Sequence, residues 1–376
     1  MPANPNADAT TTAVYNYIAG LATGSSNRVI SGQHCAHSIT NVATGFTNYV
    51  TALYSATSTY PGMIGADWGG GASAAEITAG NTGTLIPYWN AGGLIQVQIH
   101  PNNPWSGGSY SDLTGRYLPD LINPARAVYT TWMTMLDRWA DGFDELQNAG
   151  VVVLWRPLHE MTFYNTFWWG AAAANGGPSA YIDVWQHMFD YFTTTRGLNN
   201  LLWVYATGNS TGRFTESYPG TNYVDIVGVD IYRSAATIDG TGYSDMLSFG
   251  KPFAFTECGP PIGERDGSWD NTITIDSIVN NYPSACYFLQ WHSWVGADVA
   301  IVDCLYAQDL MDHAWVIDRA EIDWGEDHSV YRDDANLQAY YLFEEDATDE
   351  TEQTHPRSAP RFTKKSASIS EARSCG

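Results

Sequence analysis

The chain has 376 residues, 44% of them hydrophobic, enough to bury a large core in one big domain or two ordinary ones. A net charge of −23 excludes nucleic acid and anionic membrane surfaces as partners, because both need a positive footprint. No apolar run approaches the roughly 18 residues of a membrane span, so a neutral partner is expected and no membrane association.

Short apolar runs alternate with longer amphipathic stretches. The strands predicted in order are Arg28–His34, Gly62–Trp68, Leu94–His100, Val151–Glu160, Leu201–Thr207, Val224–Tyr232, Pro252–Glu257 and Cys286–Trp294. Between the third and fourth, Ala125–Asn148 carries Trp132, Met135, Leu136, Trp139, Phe143 and Leu146 near helical spacing. Tyr181–Arg196 does the same with Trp185, Met188, Phe189 and Phe192. Continuous apolar runs, rather than alternating ones, indicate parallel strands covered on both faces. Eight such strands alternating with helices predict an α/β fold, a (β/α)8 TIM barrel. A doubly wound sheet would carry a glycine-rich phosphate loop after its first strand, and Ser31-Gly32-Gln33-His34 is not one. Residues 1–324 are read as a single catalytic domain. Residues 325–376 are read as an acidic and polar C-terminal extension, partly disordered and without catalytic role, in which 330–343 could pack as a last strand or helix.

Active sites of such barrels sit at the C-terminal ends of the strands. Those ends carry His34, Asp67-Trp68, His100, His159-Glu160, Asn209, Asp230, Tyr232, Glu257 and Trp291-His292. Two glutamates, Glu160 and Glu257, close apolar runs in matching positions on strands four and seven, across the barrel from each other. A carboxyl at such a place is costly unless it is paired or does chemistry. Two of them facing one bond suit glycoside hydrolysis, one as acid and one as nucleophile. Fifteen Trp and twenty-three Tyr supply flat faces for pyranose rings, although most of these are expected to be core.

Other motifs are weaker. Gly208-Asn209-Ser210-Thr211-Gly212 fits the serine-hydrolase elbow pattern, but the residues after it do not read as the helix that elbow requires. The same stretch holds the sequon Asn209-Ser210-Thr211, where a glycan would crowd the site. His159-Glu160 would need a second histidine where Phe163 stands to form a zincin helix. The five cysteines lack metal-binding spacing, so neither a metal nor a cofactor is expected.

Three segments, Arg156-Pro157-Leu158-His159-Glu160, Phe167-Trp168-Trp169-Gly170 and Phe255-Thr256-Glu257-Cys258-Gly259, make residues 10–320 resemble glycoside hydrolase family 26, whose members are mostly endo-β-1,4-mannanases. The resemblance implies a retaining enzyme acting on mannan, glucomannan or galactomannan, with Glu160 as acid/base and Glu257 as nucleophile. It implies that His159 sets the state of Glu160 and contacts sugar, that Arg156 supports the carboxylates, and that Tyr232 donates to Glu257. His100 and Trp291 would line the subsite of the cleaved sugar, with Trp105 and Trp168 stacking in the cleft. Two departures stand out: Thr166 precedes Phe167 where many members have Trp, and Trp291-His292 replaces a Trp-Arg pair that holds the distal sugar. The second keeps a β-1,3-xylanase or mixed-linkage β-glucanase open, and a non-catalytic carbohydrate-binding protein is the alternative of another class. A polysaccharide substrate implies a secreted, monomeric, extracellular protein; no charged-then-apolar leader opens the chain, so any secretion signal would already be gone.

Overall fold

A computed structural model describes residues 1–210 and 212–325. Ten strands, all parallel, form one sheet: β1 (Val29–Ile30), β2 (Gly32–His34), β3 (Met63–Asp67), β4 (Leu94–Gln98), β5 (Val153–Arg156), β6 (Leu201–Gly208), β7 (Ile226–Ile231), β8 (Phe253–Cys258), β9 (Ala285–Gln290) and β10 (Val316–Ile317). From β2 each strand pairs with the next as far as β9, and β9 returns to β2 through Gln33 and Gln290. The sheet is therefore a closed barrel of eight staves ringed by helices, as the alternation of runs predicted.

The first stave differs from expectation. It is one run in the sequence but two strands in space, divided at Ser31. The Ser31 hydroxyl donates to the Ile317 carbonyl at 2.8 Å and accepts from the Gly62 amide at 3.0 Å. Below Ser31 the stave pairs with β10; above it, with β3. β10 is too short to show a pattern in the sequence, and it fills the gap that β3 leaves at the base.

The fourth stave is also shorter than read. It ends at Arg156, because Pro157 has no amide to continue the ladder. Glu160 therefore stands on a turn four residues past the strand, with Leu158 at φ +46° and Glu160 at φ +55°. Non-glycine residues adopt this left-handed conformation at a cost of roughly 1–2 kcal/mol each. Backbone and side-chain bonds hold the turn. The Glu160 amide donates to the Ala206 carbonyl at 3.0 Å, and the Phe163 amide to the Glu160 carbonyl at 2.9 Å. Trp169 Nε1 donates to the His159 carbonyl at 2.7 Å, and the Tyr181 hydroxyl to the Leu158 carbonyl at 3.0 Å.

The helix Ala127–Asn148 buries Trp132, Met135, Leu136, Trp139, Phe143 and Leu146, the face its spacing predicted. Phe143 meets Trp155 of β5 edge to face at 4.8 Å, and such an aromatic pair adds about 0.5–1.5 kcal/mol beyond its buried area. The helix Gly177–Asp190 buries Trp185, Met188 and Phe189 against β6 and carries Tyr181 to the strained turn. Twelve of the fifteen tryptophans are buried, so the aromatic excess is mainly core. The four described cysteines are buried free thiols. Apart from Gly325, the extension expected over 325–376 lies outside the described residues, as does the segment 330–343.

Candidate active site

The carboxyl ends of the strands converge on a buried polar belt with Arg156 at its centre. The guanidinium is 0% exposed. Its Nη1 donates to Asp230 Oδ2 at 2.8 Å, and its Nη2 to both Glu257 Oε1 and Gln98 Oε1. Burial works against that charge, but the attraction of Asp230 and Glu257 outweighs it, so Arg156 stays a cation. Thr256 donates to the other Asp230 oxygen at 2.6 Å, and Gln98 Nε2 donates to Asp67 Oδ2 at 3.4 Å. The bonds of Arg156 go to Asp230 and Glu257 rather than to Glu160, because its side chain leaves the last residue of β5 while Glu160 stands beyond the turn.

Glu257 is 5% exposed, with one oxygen on Arg156 and the other accepting from the Tyr232 hydroxyl at 2.8 Å. Burial and the neighbouring Glu257 carboxylate push the Tyr232 phenol well above its ordinary range, so it remains a donor. His159 Nε2 lies 3.6 Å from Glu257 Oε1. Its imidazole is held well below the usual histidine range by burial and then by Arg156, and stays neutral.

Glu160 is the part-exposed member of the pair. Burial of its carboxyl, then Asp230 and Glu257, push it well above the ordinary carboxyl range, so it holds its proton where other glutamates have lost theirs. One carboxyl clamped by donors and another made protonated by its surroundings are two groups set up for opposite roles.

The wall beside Glu257 is imidazole and indole. His100 Nδ1 contacts Asp67 Oδ2 at 2.5 Å; the same carboxylate accepts from the amides of Gly69 and His100. Burial raises Asp67, but His100 more than offsets this and holds it well below the usual range. His100 meets His159 edge to face at 4.5 Å and stacks on His37 at 4.3 Å. Trp291 is 6% exposed, with one face on His34 at 3.9 Å and contacts to Ala297, Val299 and Tyr232.

One of the sequence-derived candidates sits differently. Trp168 is 0% exposed, donates through Nε1 to the Pro101 carbonyl at 2.8 Å, and packs edge-on against Trp105 and Trp132. It has no free face for a sugar; its work is to shape the wall, and this corrects the stacking role expected for it. Trp105, by contrast, is half-buried. His292 lies 8% exposed at the end of the β9 stave, lining a cavity. Asp67, Gln98, Asp230 and His37 were missed as partners. Their signal was weak: each is a polar residue at or just past a strand end, a place the sequence marks without saying what it touches.

Two triads bring ligand-type atoms within 4.8 Å of each other, His37–Asp67–His100 and His159–Glu160–Asp230. The Asp67 and Asp230 oxygens already carry hydrogen bonds, and Arg156 sets a positive charge beside the second triad. A dication would have to displace those bonds. The elbow reading of Gly208–Gly212 lacks its helix: among the described residues the next helical turn is Thr221–Tyr223.

The model of the Glycosyl hydrolase family 26 matches residues 3–321. The chain belongs to that family. It is 38% identical over 335 residues to "Mannan endo-1,4-beta-mannosidase A and B" of Caldalkalibacillus mannanilyticus, covering 86% of this chain and 63% of that protein. It is 36% identical to the "Mannan endo-1,4-beta-mannosidase" of Bacillus subtilis over 85% of this chain and 89% of the other. This family 26 chain thus spans just under two thirds of the first relative and most of the second. Its fold superimposes on the solved Bacillus subtilis mannanase man26 with a TM-score of 0.75 at 33% identity, over 85% of this chain and 96% of that one. Among the described residues no helix is long and apolar enough to cross a membrane.

Proposed function

We propose that this family 26 glycoside hydrolase is a retaining endo-β-1,4-mannanase that cleaves mannan, glucomannan or galactomannan. The observation carrying the reading is the contrast between its two glutamates: Glu257 held by Arg156 and Tyr232, Glu160 pushed toward its protonated form by burial, Asp230 and Glu257. A Glu257 oxygen attacks the anomeric carbon, and the bond from that carbon to the glycosidic oxygen breaks. Glu160 gives its proton to the departing oxygen. Glu257 loses its charge on forming the ester, one of the influences that raise Glu160 vanishes, and Glu160 becomes a base. It takes a proton from water as the water oxygen attacks the anomeric carbon and expels Glu257 with retention.

Tyr232 and Arg156 orient the nucleophile, Arg156 without touching sugar since it is wholly buried. His159, kept neutral, and His100 form the wall beside the reacting sugar, and Trp291 its floor. Trp105 and His292 extend the contacts along the cleft. The relatives named mannan endo-1,4-beta-mannosidase support mannan as the polymer. We place the enzyme outside the cell as a monomer, since its substrate is a polymer and one chain supplies every group in the mechanism.

The test is reducing-sugar release from linear mannan, glucomannan, mixed-linkage glucan and β-1,3-xylan, with proton NMR of the first product. Mannan cleavage with a β-configured product is expected, and in Glu257→Ala loss of turnover with oligosaccharide binding kept. An α-configured first product would sink the retaining mechanism; activity only on glucan or xylan would reassign the subsites. Activity in Glu257→Ala would remove Glu257 from the chemistry.

A further inference from the structure

Beyond Trp291 the cleft continues into a cavity of about 560 Å³, lined among others by His37, Asn41, Asn48, Tyr49, His292 and Trp294. That volume is within the roughly 300–1,000 Å³ of small-molecule sites. His37 belongs both to this cavity and to the wall of the active site, where it stacks on His100. A sugar chain lying on Trp291 would put its next unit here.

Behind the cavity lies a histidine pair. His34, at the end of β2, is 0% exposed, and its Nδ1 is 3.0 Å from Nδ1 of His292. Its ring is pinned on both sides: it stacks on Trp291 at 3.9 Å with an interplanar angle of 12°, and it lies against Gly65 of β3. A Cβ at position 65 would come within 2.6 Å of the His34 ring, so glycine is what makes room for it. Both imidazoles are neutral. Burial and then His292 hold His34 well below the usual range, and burial lowers His292 to about 4.

Two neutral imidazoles meeting through Nδ1 share one proton at that contact, so one donates and the other accepts. If His292 donated, the His34 proton would have to sit on Nε2. That atom is buried without a hydrogen-bond partner, and a donor N–H stranded there would forfeit its hydration with nothing in return. If His34 donates, its Nε2 is a bare lone pair and no N–H is stranded. His292 then accepts at Nδ1 and must carry its own proton on Nε2, the ring nitrogen left for the cavity.

We propose that His34 is a positioning residue that fixes His292 as the Nε2–H tautomer, giving the cavity a fixed, uncharged donor for a hydroxyl oxygen of the neighbouring hexose unit. An unrestrained histidine would present a donor in one tautomer and an acceptor in the other, so the hydroxyl would have to turn its own proton to match and could not keep one set of partners. The assignment of the occupant to a hexose rests on the glycosidase reading; the tautomer does not.

Long-range proton–nitrogen NMR of histidine-labelled protein reads the tautomer directly, with the His292 signals assigned by their loss in His292→Gln. We expect the His292 proton on Nε2 alone in the native protein, and a mixture of tautomers in His34→Leu. With mannohexaose, His34→Leu should raise KM about three- to tenfold, the weight of one neutral hydrogen bond, with kcat within about twofold. His34→Asn, which keeps an N–H near the position of Nδ1, should restore most of KM. A native His292 protonated at Nδ1 would overturn the proposal outright, even if the leucine variant does not fold. A fall in kcat without change in KM, or no change in either, would also overturn it. If the native enzyme leaves every mannan untouched, the glycosidase reading fails while the spectrum still decides the tautomer.

Discussion

The strained turn that carries Glu160 makes a sharp prediction at a residue far from any sugar. Leu158 and Glu160 together hold roughly 2–4 kcal/mol of left-handed strain. The Tyr181 hydroxyl binds the Leu158 carbonyl from the helix behind, and both residues are 0% exposed. Tyr181→Phe keeps the ring and its packing but strands a buried carbonyl, at about 1–3 kcal/mol. That is comparable to the strain, so the turn can relax and carry the Glu160 carboxyl away from the glycosidic oxygen. A displacement of about 1 Å can cost on the order of a hundredfold in rate. Proton donation matters for an alkoxide leaving group and little for a dinitrophenolate. We therefore expect kcat/KM on mannan to fall about 10- to 100-fold, and on a dinitrophenyl β-mannobioside by less than about threefold. The midpoint of thermal unfolding should drop by a few degrees. Equal losses on both substrates, or a lower melting point with unchanged mannan activity, would refute the link between Tyr181 and the acid.

Further outcomes follow from the same geometry. Glu160→Ala should be inactive on mannan yet keep most of its kcat/KM on the dinitrophenyl substrate; equal loss would count against an acid role. Tyr232→Phe removes a hydrogen bond to a charged carboxylate, about 1.5–3 kcal/mol, so kcat should fall roughly 10- to 150-fold with mannan binding intact. A change of less than twofold would free Glu257 from Tyr232. Glu160→Gln should be more stable than the native protein. Glu160 binds its proton more tightly folded than unfolded, so its contribution to stability is greatest below the unfolded value near 4.3 and declines as pH rises toward the folded one. The gap in melting temperature should therefore widen from about pH 4 upward; a constant gap would mean that Glu160 titrates normally.

The barrel was legible because each stave between β3 and β9 is a run of buried residues long enough to stand out from its flanks. β10 was not, since two residues make no pattern and its pairing with Val29–Ile30 is a matter of distance in space. Both glutamates could be found because an acid closing an apolar run is rare. What surrounds them could not. Whether Arg156 turns to Glu160 or to Asp230 depends on the turn after Pro157, which single residue preferences oppose rather than predict. Trp168 shows the same limit, for its neighbour Trp169 and the half-buried Trp105 look no different in the sequence. His34 ends a predicted strand in plain view, yet its meaning arises only when β2 and the β9 stave become neighbours in the closed barrel.

The stitch between β1 and β10 also dictates an order of events during synthesis. Val29 and Ile30 are made early, but the flank they offer to Val316 and Ile317 has no partner until nearly 290 residues later. Until then the nascent chain carries an open sheet edge, the kind of surface that pairs with strangers. The ring shuts when β9 meets β2, but its base stays unsealed until residue 317 has left the ribosome. Sealing the base is thus the most non-local step of folding, and a chain cut before that residue would lose this seam while retaining every catalytic side chain.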